Sequence, residues 1–156
     1  MSNNGHAGGV NYLCLPMDPE FPDDVEAGTQ NGAYIYGVEY QPWYSRRFFR
    51  PLASLEAPCA VCEVQGRSLA LMIPAKKTCP TGWTQEYEGL LASHHHNHKG
   101  SSDFACVASG MEARNNSNTA NNPGGMLHVV EARCGGSLPC DPYPEGYELT
   151  CAVCTK

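Results

Sequence analysis

The sequence predicts an all-β fold built from two tandem, pseudo-repeated, disulfide-rich lobes, with the first lobe incomplete at its N-terminal side. Three observations predict it: cysteines that recur at a constant offset, strand-type alternation in place of helical periodicity, and a chain dense in turn formers. Cys14, Cys59 and Cys62 return as Cys106, Cys151 and Cys154, an offset of 92 positions (106−14, 151−59, 154−62). No gap is needed to carry the match from His6 to His98, Gly8 to Gly100, Glu20 to Glu112 or Gly32 to Gly124. Val38-Glu39 likewise meets Val130-Glu131, Glu56 meets Glu148, and Cys59-Ala-Val-Cys62 meets Cys151-Ala-Val-Cys154. An unbroken offset of this kind marks two copies of one unit. The copies divide the chain into residues 1–64 and 65–156 within one compact two-lobed domain. The stretch Gln65–Ser93, with its Cys79-Pro-Thr-Gly-Trp83 segment, opens the second copy, and its counterpart in the first would fall before Met1.

Alternating apolar and polar residues rich in β-branched and aromatic types read as strands. In chain order these are Asn11–Leu15, Ala33–Tyr40, Cys59–Val64, Ser68–Ile73, Thr84–Leu91, Asp103–Val107, Met126–Arg133 and Tyr147–Thr155. Between them lie turn-forming clusters such as Pro22-Asp-Asp24, Thr29–Gly32, Asn121–Gly125 and Cys134-Gly-Gly-Ser137. Leu52–Ala57 is expected to make a single helical turn. The Asn-rich stretch Arg114–Gly125 is expected to be a surface loop, and the Asn115-Asn116-Ser117 sequon within it would tolerate glycosylation at Asn115.

Composition narrows the function classes. A net charge of −6 argues against a nucleic-acid partner, since phosphate binding needs a basic stripe. The one dense basic patch, Arg46-Arg47 with Arg50, lies among Trp43, Phe48 and Phe49 and reads as a solvated flank of buried aromatics. No apolar run is long enough to span a membrane, and the first residues, Met1-Ser-Asn-Asn-Gly5, do not read as a signal peptide. The 9 cysteines, 16 glycines and 12 prolines in 156 residues nevertheless point to a stapled, loop-rich protein of an oxidising compartment. The expectation is a secreted protein whose leader has been removed. An odd cysteine count leaves at least one thiol free or paired with another chain.

The second unit carries Cys79, Cys106, Cys134, Cys140, Cys151 and Cys154. Its order, from Cys79-Pro-Thr-Gly-Trp83 through Val130-Glu-Ala-Arg-Cys134-Gly-Gly-Ser-Leu-Pro-Cys140 to Cys151-Ala-Val-Cys154, resembles one half of the C-terminal non-collagenous domain of type IV collagen. Asn11-Tyr-Leu-Cys-Leu-Pro16, Met72-Ile-Pro-Ala-Lys76 and Glu148–Lys156 resemble the globular end of short-chain, spongin-type collagens. The resemblance implies two β-rich halves with the pairs Cys79–Cys154, Cys106–Cys151 and Cys134–Cys140 in the second unit and Cys14–Cys59 in the first. It implies a free Cys62, whose partner would precede Met1; a Cys62–Cys79 bond that strands Cys154 is the rival. Each bridge would contribute about 2–4 kcal/mol. Two CxxC pairs could alternatively build a four-thiolate zinc site or a redox centre, but five further cysteines and the missing βαβ context speak against both.

The remaining candidates are side-chain clusters. His94, His95, His96 and His98 in the run Ser93–Lys99 could chelate a transition metal, yet a loop without supporting contacts makes no dedicated site, and no metal or other cofactor is expected. Asp18, Glu20, Asp23, Asp24 and Glu26 read as a solvated acidic loop rather than a calcium site. Glu39 and Glu131 are equivalent carboxylates, and equivalence predicts similar environments where a glycosidase pair needs opposite ones. No enzyme motif is present, and none is expected. Glycan recognition needs less: an aromatic face for the sugar ring and a few polar groups for its hydroxyls. His6, Asn11, Trp43, Tyr44, His98 and Asp103 are the expected contacts, with Tyr87 and Trp83 as further aromatics. The chain lacks a Gly-X-Y tract. The sequence therefore leads to a multivalent carbohydrate-binding, sponge-type lectin, with N-acetylated hexosamines as the candidate ligands and an extracellular-matrix oligomerisation module as the alternative. Its partners would be glycans or matrix glycoproteins and further copies of itself, in a trimer-based homo-oligomer.

Overall fold

The computed structural model describes residues 10–24, 28, 32–41, 48–119 and 124–156. Among the described residues the fold is all-β, a six-stranded mixed sheet carrying four disulfides. The strands are β1 (Val38–Tyr40), β2 (Ala70–Pro74), β3 (Thr84–Ser93), β4 (Ala105–Ala108), β5 (Gly125–Val129) and β6 (Thr150–Thr155). Their order is β1-β5-β3-β6-β2, with β4 also pairing to β3. β1 and β5 run parallel, and the other pairs are antiparallel.

β3 organises the sheet because it is the longest strand and changes character along its length. Its first residues are exposed, and Gly89–Ser93 are buried. It pairs with β6 on one side and with β4 and then β5 on the other. Gly89 stands opposite both Ala108 and Cys151. Strands flanking a third in a flat sheet lie about 9.5 Å apart, yet the Cα atoms of Cys106 and Cys151 are 5.7 Å apart and bonded through their sulfurs. The sheet therefore curls tightly around β3 at this point. A Cβ on Gly89 would meet the Val107 carbonyl oxygen at 1.8 Å, so only glycine lets the β4 backbone pass so close.

The core lies where β1, β5 and the buried end of β3 meet the turn at residues 48–52. Phe49 is fully buried and packs on Tyr40 with ring centres 5.3 Å apart, alongside Ala92 and Leu127. The turn is a single 3-10 helix at Arg50–Leu52, slightly N-terminal to the expected Leu52–Ala57, because Pro51 presets the backbone for a first helical turn. At the other end of the sheet Cys151 and Cys154 are wholly buried.

One backbone pattern occurs twice, again 92 positions apart (131−39, 148−56). The bridge Glu39–Glu56 recurs as Glu131–Glu148. Around it, Tyr40 N–H donates to the Leu55 carbonyl at 3.0 Å and Ala132 N–H to the Tyr147 carbonyl at 2.9 Å. Ser54 to Tyr40 and Gly146 to Ala132 follow the same rule, both at 2.9 Å. Ser54 and Gly146 also share a left-handed backbone, with φ of 59° and 76°. The environments are not shared. Glu39 is buried, whereas Glu131 lies just past β5 and is exposed.

Two expected strands join no ladder. Asn11–Leu15 and Cys59–Val64 fall outside every strand, although Cys14 and Cys59 are bonded to each other. Alternation gives a chain its extended preference, but a strand also needs a neighbour to take its hydrogen bonds. Cys59–Glu63 is exposed, while the same Cys-Ala-Val-Cys sequence in β6 lies between β2 and β3. Among the described residues, no helix is long and apolar enough to cross a membrane.

Candidate functional site

The sheet builds a cleft of about 380 Å³ on one face. Register creates its floor: Met72 on β2 and Tyr87 on β3 both stand opposite Val153 on β6, so the three side chains form a row across three strands. Phe104 and the first β4 residues, Ala105 and Cys106, line it too, with Asp103 beside them. Tyr12 lines the cleft as well, next to Ser102 and Asp103. The Asp103 N–H donates to the Val10 carbonyl at 3.0 Å, and the Cys14–Cys59 bond tethers the same irregular segment.

The polar groups of the cleft are held in place. The Ser102 hydroxyl donates to the Tyr12 oxygen at 2.9 Å, and the Tyr87 hydroxyl donates to the Cys106 carbonyl at 3.3 Å. Burial raises the pKa of the Tyr12 hydroxyl; the Ser102 bond opposes that shift and the Asp103 carboxylate adds to it. Burial also raises that of Tyr87, with a further contribution from Cys62, whose exposed thiol is free. Tyr87 and Phe104 keep 40% and 57% of their surface exposed, which leaves two aromatic surfaces accessible beside a carboxylate.

A second cluster lies where β3 ends. Five imidazoles gather there, four from the loop (His94, His95, His96 and His98) and His128 from β5. His128 is buried, and its register partner is Ser93, the residue before the loop. The loop folds back on itself, with His98 N–H donating to the His95 carbonyl at 2.9 Å and Asn97 N–H reaching His95 Nδ1 at 3.3 Å. Burial lowers the pKa of His94, His95 and His98, and neighbouring imidazoles add to the effect on the last two. His128 falls to about 4, first through burial and then through His95, His98 and His94. Among the described residues, no group of three or more His, Cys, Asp or Glu side chains could hold a metal ion.

The sulfur pairs are Cys14–Cys59, Cys79–Cys154, Cys106–Cys151 and Cys134–Cys140. Of the expected glycan contacts, Asp103 lines the cleft, Asn11 is exposed next to Tyr12, and His98 belongs to the imidazole cluster. His6, Trp43 and Tyr44 lie outside the described residues. Trp83 is half-buried, and Asn115 occupies an exposed turn. Sequence reasoning missed Tyr12, Met72, Phe104 and Val153, which converge through register and a disulfide tether. It also missed His128, whose signal was a lone histidine inside an apolar strand. Set against known proteins, the chain matches no family model and no solved structure.

Proposed function

We propose that this chain is a secreted, non-enzymatic glycan-recognition module, a lectin built on a duplicated unit like the C-terminal domain of type IV and short-chain collagens. The observation that carries the reading is the cleft. Its Met72–Val153–Tyr87 floor offers an apolar bed for the carbon face of a sugar ring, with Phe104 beside it and the Asp103 carboxylate positioned to accept hydrogen bonds from ring hydroxyls. An N-acetylated hexosamine fits this chemistry, because its acetamido methyl adds an apolar contact beside the polar ones. Four disulfides suit an oxidising, extracellular setting. The recurrence of bridge and turn at a constant offset supports the duplicated-unit reading.

A single shallow site binds weakly, so a lectin of this type gains avidity by association. Exposed Leu13, Leu15, Met17, Phe21 and Ile35 supply apolar surface for self-association in a trimer-based oligomer. The same feature, with the exposed segment Cys59–Glu63, favours the second reading, an oligomerisation module of the extracellular matrix. A glycan array of the native protein separates them. The lectin reading expects binding to a coherent class of N-acetylated hexosamines, lost in Asp103→Ala and Phe104→Ala. A blank array from an intact oligomer would overturn it in favour of matrix assembly.

A further inference from the structure

Four of the five clustered imidazoles lie on a segment that ends in the cleft. Residues 94–104 join β3 to β4: His94, His95, His96 and His98 open the segment, and the cleft residues Asp103 and Phe104 close it. At its start, His94 Nε2 lies 3.4 Å from where a Cβ on Gly125 of β5 would stand. The His95 and His98 rings lie 5.2 and 5.6 Å from that of the buried His128. At its end, the Ser93 hydroxyl donates to the Asp103 carbonyl at 3.0 Å, and Ser102 holds Tyr12. Ser93 is also the register partner of His128, so one residue ties the cluster to the cleft. We propose that the cluster is an acid-triggered release for the cleft: at mildly acidic pH the imidazoles become cations, the segment leaves β5, and Ser102, Asp103 and Phe104 lose the positions that hold a ligand. That ligand is the sugar of the glycan reading, on which this step rests.

Like charges drive the step. Within the loop the ring centres of His95 and His96 are 4.4 Å apart and those of His95 and His98 are 5.3 Å apart. These spacings fall well inside the screening length of about 8 Å at physiological salt, so two cations here repel each other strongly. Burial works in the same direction, since charging His94, His95, His98 or His128 in place means desolvating a cation.

The described groups around His128 leave that direction unchanged. β3 ends in the neutral Ser93, and β1 runs on into the amide Gln41, whose N–H donates to the Leu127 carbonyl. The β1 carboxylate, Glu39, is paired in register with Met126, and Glu131 lies beyond β5 and is exposed. On the loop Lys99 is a further cation, and Asp103 stands at the far end, in the cleft. Imidazoles on a released segment titrate near the ordinary 6.5, and docked ones below it. The docked arrangement is therefore favoured above pH 6.5 and weakens as pH falls through that value, because the released segment takes up the protons.

The test follows the isotopically labelled full chain by nuclear magnetic resonance from pH 7.5 to pH 5.0 with a chelator present, and measures binding of N-acetylglucosamine and N-acetylgalactosamine at both pH values. Resonances of Ser102, Asp103 and Phe104 should move together with those of the imidazoles, and sugar affinity should fall at least about tenfold at pH 5.0. The double variant His95→Gln/His98→Gln lies outside the strands; it should bind as the parent does at pH 7.5 and lose less than about twofold at pH 5.0. Cleft resonances that stay put while the imidazoles titrate would overturn the release. So would global unfolding by pH 5.0 in near-ultraviolet circular dichroism, or an acid loss of affinity that persists in the double variant. If neither sugar binds at pH 7.5 the glycan reading fails, and movement of residues 102–104 that is abolished in the double variant would still establish the switch.

Discussion

Replacing Gly89 by alanine tests the account of the curled sheet at its tightest point. The added Cβ would lie 1.8 Å from the Val107 carbonyl oxygen, 2.7 Å from its carbon and 2.9 Å from the Ala108 Cα. All three are backbone atoms, so no side chain can swing aside. An ordinary contact needs roughly 3.2 Å or more, and β4 must therefore retreat by about 1.4 Å or β3 must twist. The retreat stretches the pairs Gly89–Ala108 and Leu90–Val107 and the bond from Ser109 N–H to the Glu88 carbonyl. It is opposed by the Cys106–Cys151 bridge, which holds β4 against β6. With three or four backbone hydrogen bonds at about 1 kcal/mol each, the loss of stability should be about 3–4 kcal/mol. Equilibrium guanidinium denaturation of the oxidised protein, followed by tryptophan fluorescence, measures it. Gly136→Ala is the matched control: its Cβ would meet nothing within 4 Å, and its effect should stay within about 0.5 kcal/mol. A Gly89→Ala loss below about 1 kcal/mol would refute the close approach of β4.

Other outcomes follow from particular residues. In chelator-treated protein, His128 has a native pKa of about 4 against an ordinary 6.5; above pH 6.5 both states are neutral there, and as pH falls towards 4 only the unfolded chain takes up the proton. Stability should therefore drop by about 3 kcal/mol across that window, and a His128→Asn variant with the same slope would sink the assignment. Phe49→Ala, at a fully buried position packed on Tyr40, should cost about 3–5 kcal/mol by denaturant midpoint, and a cost under about 1 kcal/mol would place the core elsewhere. Removing Cys106 and Cys151 together opens a loop of sequence separation 45 and should cost about 4 kcal/mol, read in the same assay. Alkylation of the native, unreduced protein followed by mass mapping should modify Cys62 alone; a second modified cysteine in native conditions would contradict the pairing.

The all-β class and the disulfide density were legible because they rest on local signals: alternation in Thr84–Leu91, turn residues at Cys134–Ser137, nine cysteines. The constant offset also located the recurring bridge, since Glu39, Glu56, Glu131 and Glu148 are the residues that form it. The sequence was silent where neighbours decide. Asn11–Leu15 alternates like a strand but has no ladder in the sheet, and the repeat-equivalent Glu39 and Glu131 differ in burial. The cleft illustrates the same divide. Asp103 was readable as a carboxylate next to an aromatic, whereas Met72, Val153 and Tyr87 meet only through the register of three strands. His128 stood apart from the loop histidines by 30 positions or more (128−98) and joined them through the β3–β5 pairing.

The central claim is that the cleft recognises a sugar, and a nuclear magnetic resonance titration of isotopically labelled protein with N-acetylglucosamine and N-acetylgalactosamine tests it most directly. The account predicts saturable shifts in the resonances of Tyr12, Tyr87, Asp103 and Phe104 with one of the two, and little change around Cys134–Cys140, which does not line the cleft. Spectra unchanged up to tens of millimolar sugar, or shifts confined to residues outside the cleft, would contradict it.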